Sequence, residues 1–242
     1  MRAVEYRRLA ETEQRMWWFD GLHRLLLAAF ERHAPAAGPV LDAGCGTGGL
    51  LRRFAARHPG RPAYGVDPAA EAVGLARQMG VAATLRASAL ALPFAEGRFA
   101  AVFSADVLCH AAVDPPLALA EMRRCLMPGG AVILNLPAYG WMFSAHDRAV
   151  SNARRFTRGQ VLALLRAAGF AQADAFYWNS LLFPLMVIQR KLLSTGEAAS
   201  DVSDFNPILD RAFRGVLAVE RRLIAAGIRL PFGGAIIAVG VK

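Results

Sequence analysis

Lysine is almost absent from this 242-residue chain: Lys191 and Lys242 are its only lysines, although its formal net charge is +9. The positive charge therefore comes almost wholly from arginine, whose planar guanidinium group binds carboxylates and phosphates through paired hydrogen bonds. Such a composition fits an anionic substrate or an anionic surface. It fits equally well a protein whose arginine-rich surface reflects genomic composition alone.

Cysteines and long apolar runs are scarce as well. The three cysteines, Cys45, Cys109 and Cys125, lack the spacing of metal ligands and cannot form an even set of disulfides. They therefore favour a reducing compartment and no bound metal. No run of 18 uncharged apolar residues is present, so we expect no membrane span. Residues 1–6 lack the apolar core of a signal peptide, so we expect a cytoplasmic protein.

What the chain does have is apolar sequence, which makes up 55% of its residues and is enough for a large core. From residue 39 onward, short apolar stretches alternate with helical ones, as in a parallel sheet covered by helices. We therefore predict an α/β fold with a Rossmann-like, doubly wound, mostly parallel seven-stranded sheet. The predicted strands are residues 39–43, 63–66, 82–86, 99–104, 130–136, 170–178 and 234–241.

Two segments interrupt this alternation. Apolar positions recur at helical spacing between residues 3 and 33, which predicts an N-terminal helical arm. About fifty residues separate the last two strands, far more than a hairpin needs, which predicts a helical insertion. The predicted divisions are an arm or lid at 1–38, an α/β core at 39–178, the insertion at 179–232 and a last strand at 233–242.

The insertion has an apolar stretch at 177–193, a polar stretch at 194–206 and a helix near 207–226. Its apolar face and the basic residues that follow would suit peripheral contact with a membrane beside a lipid-like substrate. They would equally suit a wall of a substrate pocket or a contact between two copies of the chain.

The most informative stretch is VLDAGCGTGG at residues 40–49, where an apolar strand meets an acid and then a glycine-rich loop before a helix. Such a loop lets a nucleoside-bearing cofactor lie against backbone N–H groups. Asp42 would repel a pyrophosphate but attract an ammonium group. S-adenosylmethionine (SAM) carries an ammonium group and a cationic sulfonium and no phosphate. Asp67, at the end of the second strand, is suited to bind ribose hydroxyls, although it could also cap the next helix.

The pattern D-x-G-x-G-x-G at residues 42–48 resembles motif I of the class I SAM-dependent methyltransferases. Three later stretches resemble the Methyltransf_11 type of small-molecule enzymes. Residues 87–94 are similar to its (G/A)-D-A-x-x-L-P-F stretch, with Ser88 in place of the acid. Residues 106–110 are similar to D-V-L-E-H, with Cys109 in place of Glu, and residues 121–130 match E-x-x-R-x-L-x-P-G-G.

This resemblance implies methyl transfer from SAM to a small-molecule or lipid-like acceptor by in-line displacement. Nucleic acid is disfavoured as the substrate, because the N/D-P-P-Y/F run of enzymes that methylate base amines is absent after the fourth strand. The residues implied to bind the cofactor are Asp42, Gly44, Cys45, Gly46, Gly48, Asp67, Pro68, Ser88, Ala89, Leu90, Ser104 and Ala105.

A general base assists methyl transfer when the acceptor is a hydroxyl or a protonated amine. His146 and His110 follow the fifth and fourth strands, where ligands gather in open α/β sheets, and Tyr139 is a further candidate. Asp147 could orient His146. For His110, a capping or core role is the alternative.

The chain also resembles a bacterial subgroup of these enzymes at residues 13–19 (E-x-x-x-W-W-F), 144–147 (S-x-H-D) and 154–157 (R-R-Y-T). Trp17 and Trp18 could form a lid over the ligands or merely pack the arm on the core. Arg154 and Arg155 could bind an anionic substrate group or form a solvated helix flank.

Two other function classes remain open from the sequence. One is an oxidoreductase that binds NAD at a Rossmann fold, since Asp67 would serve a NAD ribose equally well. The other is a non-catalytic scaffold that keeps the SAM-binding fold without turnover.

Overall fold

A computed structural model describes residues 3–13, 15–81, 83–190 and 206–242 of the chain. The strands are β1 (Val40–Ala43), β2 (Ala63–Asp67), β3 (Thr84–Arg86), β4 (Phe99–Ala105), β5 (Leu126–Pro137), β6 (Gln172–Trp178) and β7 (Ala235–Val241). The helices are α1 (Ala3–Thr12), α2 (Trp17–His33), α3 (Gly49–Arg57), α4 (Ala70–Gln78), α5 (Pro115–Cys125), α6 (Ala145–Ala149), α7 (Arg158–Ala167), α8 (Phe183–Ile188) and α9 (Pro207–Ala225).

The strands form one seven-stranded sheet in the order β3-β2-β1-β4-β5-β7-β6. All neighbours run parallel except β7, which is antiparallel to both β5 and β6. The chain reverses its direction of winding between β1 and β4, so the carboxyl ends of these strands border a crevice of the kind that binds ligands in open sheets. The predicted mostly parallel, Rossmann-like sheet is confirmed.

Helices cover both faces of the sheet because consecutive strand residues point to opposite sides. Val102 packs in the cluster formed with α5 and α7, whereas Phe103 packs in the cluster formed with α2, α3 and α9. In β5, Leu134 likewise packs in the first of these clusters and Ile133 in the second. The strands are apolar on both faces for this reason, and the winding is double, as predicted.

The helical arm differs from its prediction in one respect. The helical region predicted over residues 3–33 consists of two helices, α1 and α2, separated by a short break that was not predicted. The carbonyl of Thr12 accepts from the N–H groups of Arg15 and Met16, and Met16 has an extended backbone before α2 begins. This break brings Glu13 against the glycine-rich loop. The strand β5 also begins four residues earlier than predicted, because Leu126 pairs with Phe99.

The arm and the insertion pack on each other. The Trp17 ring meets Phe213 of α9 edge-on at 5.1 Å between centroids, and the backbone N–H of Trp17 donates to Asp210 Oδ1 at 2.8 Å. Glu220 of α9 is buried and accepts from the backbone N–H groups of Ser180 and Leu181 at 2.9 and 3.2 Å. These contacts tie α9 to the end of β6.

The predicted polar stretch at 194–206 lies outside the described residues except for its last position. Among the helices of the described segments, none has the length and apolar character needed to cross a bilayer.

Candidate cofactor and acceptor site

The glycine-rich loop after β1 is held against β2 by its own backbone. The N–H groups of Gly44 and Cys45 both donate to the carbonyl of Val66, at 2.8 and 2.9 Å. Gly44 has a φ of +94°, and a Cβ there would overlap the side chain of Val107, which follows β4. Gly46 and Gly48 also have positive φ. The loop therefore needs glycine both for its backbone conformation and for its close approach to the β4 loop.

Asp42, the acid at the end of β1, is only 3% exposed. Its Oδ1 atom is buried and has no hydrogen-bond partner among the described residues. Burial, with the nearby charges of Glu13 and Asp67, raises the pKa of Asp42 well above its usual range. An orphaned carboxylate oxygen is costly in a protein interior, so a donor or cation supplied by a ligand would stabilise this site.

Asp67, the acid at the end of β2, already receives three donors. The N–H of Gly46 donates to Oδ2 at 3.1 Å, the N–H of Ala69 donates to Oδ1 at 2.9 Å, and the Tyr6 hydroxyl lies 3.5 Å from Oδ1. Burial raises the pKa of this carboxyl, and these hydrogen bonds partly oppose the shift. Asp67 therefore joins β2 to the glycine-rich loop and holds the turn at Ala69, which is the N-cap of α4 and has no side-chain capping bond.

The residues predicted after β3 and β4 fall at the same edge of the sheet. The exposed Ser88 accepts through Oγ from the N–H of Leu90 at 3.1 Å, which folds the turn that contains the buried Ala89. The buried Ser104 donates through Oγ to the carbonyl of Ala43 at 3.0 Å and so joins β4 to β1. Two further predicted residues lie at this edge, the exposed Pro68 and the partly buried Ala105.

Asp106 is a candidate site residue that was not predicted from the sequence. It has a left-handed backbone with φ +55°, which is uncommon for a residue other than glycine. The Asn135 amide nitrogen lies 3.0 Å from both carboxylate oxygens of Asp106, and Trp178 Nε1 donates to Asn135 Oδ1 at 2.9 Å. Burial raises the pKa of Asp106 to about 7, although the Asn135 hydrogen bond opposes this shift. The result is a firmly oriented carboxyl group beside Val107.

Glu13 is the second residue that was missed, although it opened the E-x-x-x-W-W-F stretch. It is 8% exposed and accepts from Thr47 Oγ1 at 2.6 Å, and the backbone N–H of Gly49 also donates to it. Glu13 thus binds the glycine-rich loop at the start of α3. Only the resemblance at residues 13–19 could have drawn attention to it, because the contact spans 34 residues.

The three predicted proton acceptors have different surroundings. His110 accepts through Nδ1 from the N–H of Ala112 at 3.3 Å, and burial lowers its pKa. His146 lies partly exposed on α6. Tyr139 has φ +59°, stacks on Tyr177 at 5.2 Å between centroids, and has its pKa raised to about 12 by burial and by Tyr177. A phenol with this pKa is protonated at neutral pH and is better suited to donate a hydrogen bond.

The two predicted anion-binding arginines are engaged within the protein. Arg154 Nη1 donates to the carbonyls of Leu108 and Val113 at 3.1 and 2.6 Å. The Arg155 side chain is 4% exposed and forms an ion pair with Asp147, which is fully buried, at 2.9 Å. Both guanidinium groups therefore brace the loops after β4 and β5.

Asp147, the proposed partner of His146, has further bonds besides this ion pair. It also accepts from Ser144 and Asn152, at 2.8 and 3.2 Å. Arg155 outweighs the effect of burial and holds the pKa of Asp147 below its usual range.

The predicted tryptophans pack the arm against the core. Trp17 contacts Phe213, and the Trp18 ring lies 5.7 Å from Trp178 between centroids. A separate aromatic cluster, which we call the aromatic wall, lies at the carboxyl ends of β5 and β6. It consists of Tyr139, Trp141, Tyr177, Phe183 and Phe232, with neighbouring centroids 5.2 to 6.1 Å apart. Trp141 is 53% exposed, so the wall presents an apolar surface to solvent.

Within the segments that the structure describes, no group of three or more His, Cys, Asp or Glu side chains is arranged to hold a metal ion. The candidate site consists of the carboxyl groups, the glycine-rich loop and the aromatic wall.

The sequence of this chain is similar to those of known methyltransferases. Residues 41–134 match the family described as a methyltransferase domain. The demethylmenaquinone methyltransferase of Thermus thermophilus is 36% identical over 122 residues, which are 46% of this chain and 55% of that protein. The 2-phytyl-1,4-naphtoquinone methyltransferase of Thermosynechococcus vestitus is 39% identical over 124 residues, which are 48% of this chain and 54% of that protein. The chain spans about half the length of these curated relatives.

The fold is shared more widely than the sequence. A crystal structure from Thermotoga maritima, described as a SAM-dependent methyltransferase and possible histamine N-methyltransferase, superposes with a TM-score of 0.62. The match covers 99% of this chain and 95% of that one at 20% identity.

Proposed function

Because the chain belongs to the class I SAM-dependent methyltransferases, we propose that it transfers the methyl group of SAM to a small, apolar acceptor. The observation that carries the proposal is the orphaned Oδ1 atom of Asp42, buried beside the glycine-rich loop. A pyrophosphate carries no hydrogen-bond donor and adds negative charge beside Asp42, so it could not satisfy this atom. The ammonium and sulfonium groups of SAM would supply the missing positive charge.

The residues present fit SAM on further grounds. The glycine-rich loop has positive φ at Gly44, Gly46 and Gly48, and Asp67 presents a carboxylate suited to ribose hydroxyls. We therefore propose that Asp42 faces the methionine end, that the loop from Gly44 to Gly48 supports it, and that Asp67 binds the ribose. The turn at residues 88–90 would then border the adenine.

When bound, SAM supplies a methyl group on a sulfonium, which departs as a neutral thioether as the acceptor lone pair forms the new bond. The protein must then orient the acceptor, exclude water and accept any proton that the acceptor loses. We propose Asp106 for the last task. Asn135 holds its carboxylate in place, and its pKa of about 7 suits a proton acceptor near neutral pH. His146 is the second candidate.

The acceptor class follows from the aromatic wall. Its exposed ring, Trp141, and the exposed Leu185 of α8 would bury the apolar part of a flat or prenylated molecule. The names of two relatives supply the first probe, a quinone ring with an apolar tail. Peripheral contact of this surface with a membrane would give such an acceptor a route to the site.

Isothermal titration calorimetry with SAM, S-adenosylhomocysteine (SAH) and NADH tests the cofactor. Saturable binding of SAM and SAH without binding of NADH is expected, and the reverse result would contradict the proposal. Transfer of radiolabelled methyl from SAM to oxidised and reduced 2-phytyl-1,4-naphtoquinone then tests the acceptor. Tight SAM binding without transfer to any member of a wider acceptor panel would favour the non-catalytic scaffold.

The contribution of the aromatic wall has a matched control. Trp141→Ala should raise the KM for the quinone probe while leaving SAM affinity unchanged. Leu117→Ala, which removes an equally exposed apolar side chain from α5, should change neither quantity.

A further inference from the structure

We propose that Glu13 is a specificity-determining residue of the cofactor site: with Asp42 and Asp67 it completes a set of three acidic side chains around the glycine-rich loop, which favours cationic SAM over its product SAH. The inference rests on the proposed function, since it presumes that SAM binds at this loop. SAM and SAH share the adenosine and the methionine-type end. They differ in one methyl group and in the positive charge of the sulfonium.

The position of Glu13 is fixed by the break between α1 and α2. Its carboxylate accepts from Thr47 Oγ1 and from the N–H of Gly49, so it reaches the loop from the arm. A Cβ on Gly49 would overlap this carboxylate, which means that Glu13 lies directly over the start of α3. The side chain thus forms part of the loop's surroundings although it lies far from the loop in sequence.

The neighbouring histidine does not neutralise Glu13. His23 Nε2 lies 3.5 Å from Glu13 Oε1, but burial and the charge of Arg53 lower the pKa of His23 to about 3. The imidazole is therefore neutral at physiological pH. Arg53 itself donates to Asp20 at 2.6 Å. Arg52 and Arg53 still attract the Glu13 carboxylate, but the bonded partner of Arg53 is another acid.

Two of the acidic groups at the loop act on the third, Asp42. The charges of Glu13 and Asp67 both raise the pKa of Asp42, and burial raises the pKa of all three. The other titratable or charged groups that face Glu13 are His23 from α2, Cys45 from the loop, and Arg52 and Arg53 from α3. A cation placed among these carboxyl groups favours their ionised forms. Binding of SAM should therefore release protons, and binding of SAH should release fewer.

The alternative role for Glu13 is a purely structural cap on α3. Glu13→Gln separates the two roles, because the amide oxygen can still accept from Thr47 and Gly49 while the charge is lost. Thr47→Val is the complementary variant: it removes a hydrogen bond and keeps the charge. Glu31→Gln is the control for net charge, because Glu31 lies on α2 and pairs with Arg57 and His58 instead.

The experiment is calorimetry of the full chain with SAM, SAH and sinefungin, an analogue in which an amine-bearing carbon replaces the sulfonium. Glu13→Gln should reduce the preference for SAM over SAH by at least about threefold and leave the SAH Kd within about twofold. Sinefungin, which is cationic through its amine, should follow SAM. Thr47→Val should shift both Kd values together, and Glu31→Gln should change neither.

Equal weakening of SAM and SAH by Glu13→Gln, or an unchanged ratio, would overturn the inference and leave Glu13 as a cap. Absence of SAM binding to the unmodified protein would instead overturn the proposed function. Should Glu13→Gln fail to fold, proton release decides with the unmodified protein. Titrations in two buffers of different ionisation enthalpy should give more protons released by SAM than by SAH, and equal release would contradict the inference.

Discussion

The hydroxyl group of Tyr6 on α1 lies 3.5 Å from Oδ1 of Asp67 at the end of β2. Burial, with the charge and the hydrogen bond of Asp67, raises the pKa of Tyr6 to about 12, so this hydroxyl remains a donor. The arm therefore contacts the carboxylate that we propose for the ribose, and a ribose hydroxyl would compete with Tyr6 for the same oxygen.

Asp67→Ala should weaken SAM binding by about tenfold or more, because hydrogen bonds to a charged group contribute roughly 1.5–3 kcal/mol each. Tyr6→Phe should leave the affinity within about twofold, since it removes a competitor of the ribose. Calorimetry measures both, and circular dichroism checks that Asp67→Ala is folded. Unchanged SAM affinity in Asp67→Ala would mean that the ribose binds elsewhere.

Asp106 should make the stability of the protein depend on pH in a defined direction. Its pKa is about 7 in the folded chain and 3.8 in the reference state. Between these values the folded chain holds a proton that the unfolded chain has lost. The free energy of unfolding should therefore fall as the pH rises through this window, by up to about 1.4 kcal/mol per pH unit from this group.

Asp106→Asn removes this titration. Urea unfolding at several pH values from 4 to 8 should give a stability difference between the unmodified protein and the variant that shrinks, or changes sign, as the pH rises. Because other acids titrate in both proteins, only the difference is diagnostic. A difference that stays constant with pH would contradict the raised pKa.

Arg155 should matter for stability more than for binding. Arg155→Met leaves the fully buried Asp147 without its cationic partner, which is expected to cost about 3–5 kcal/mol. Arg148→Met, on the exposed side of α6, should cost well under about 1 kcal/mol. Urea unfolding measures both. A small loss of stability in Arg155→Met, with a large loss of acceptor binding, would restore the prediction that Arg155 binds substrate.

Two glycines allow the cost of a steric overlap with a neighbouring side chain to be separated from the cost of backbone strain. Gly44 and Gly60 both have positive φ, at +94° and +81°, but only Gly44 has a neighbour that an added Cβ would meet. Gly60→Ala should cost only the strain of a left-handed residue, about 1–2 kcal/mol. Gly44→Ala should cost more and should also abolish measurable SAM binding. Equal destabilisation of the two variants would mean that the contact with Val107 relaxes freely.

Local pattern was sufficient to predict the sheet and its loop. Asp42, the alternating glycines and the following helix are consecutive in sequence. The strand, loop and helix that they form could therefore be predicted from the type and order of the residues. The break in the arm was missed because residues 13–16 have no proline or glycine to mark it. It is stabilised instead by contacts with the core, such as the bond from Thr47 to Glu13.

The acceptor side was also harder to predict, because it too is formed by contacts between residues that are distant in sequence. The bond between Asn135 and Asp106 joins a residue of β5 to the residue that follows β4, so it depends on the pairing of two strands that are separated in sequence. The partners of Arg154 and Arg155 are carbonyls of the loop after β4 and an acid on α6, which the R-R-F-T stretch alone does not reveal.

The packing of Trp17 on Phe213 has a consequence for how the molecule is made. Residues almost two hundred positions apart must meet before that side of the sheet is covered, so the apolar face of α2 stays exposed while the ribosome completes the middle of the chain. We therefore expect the first helices to reach their final places only after α9 has emerged, and nascent chains that stall before it to be prone to aggregation.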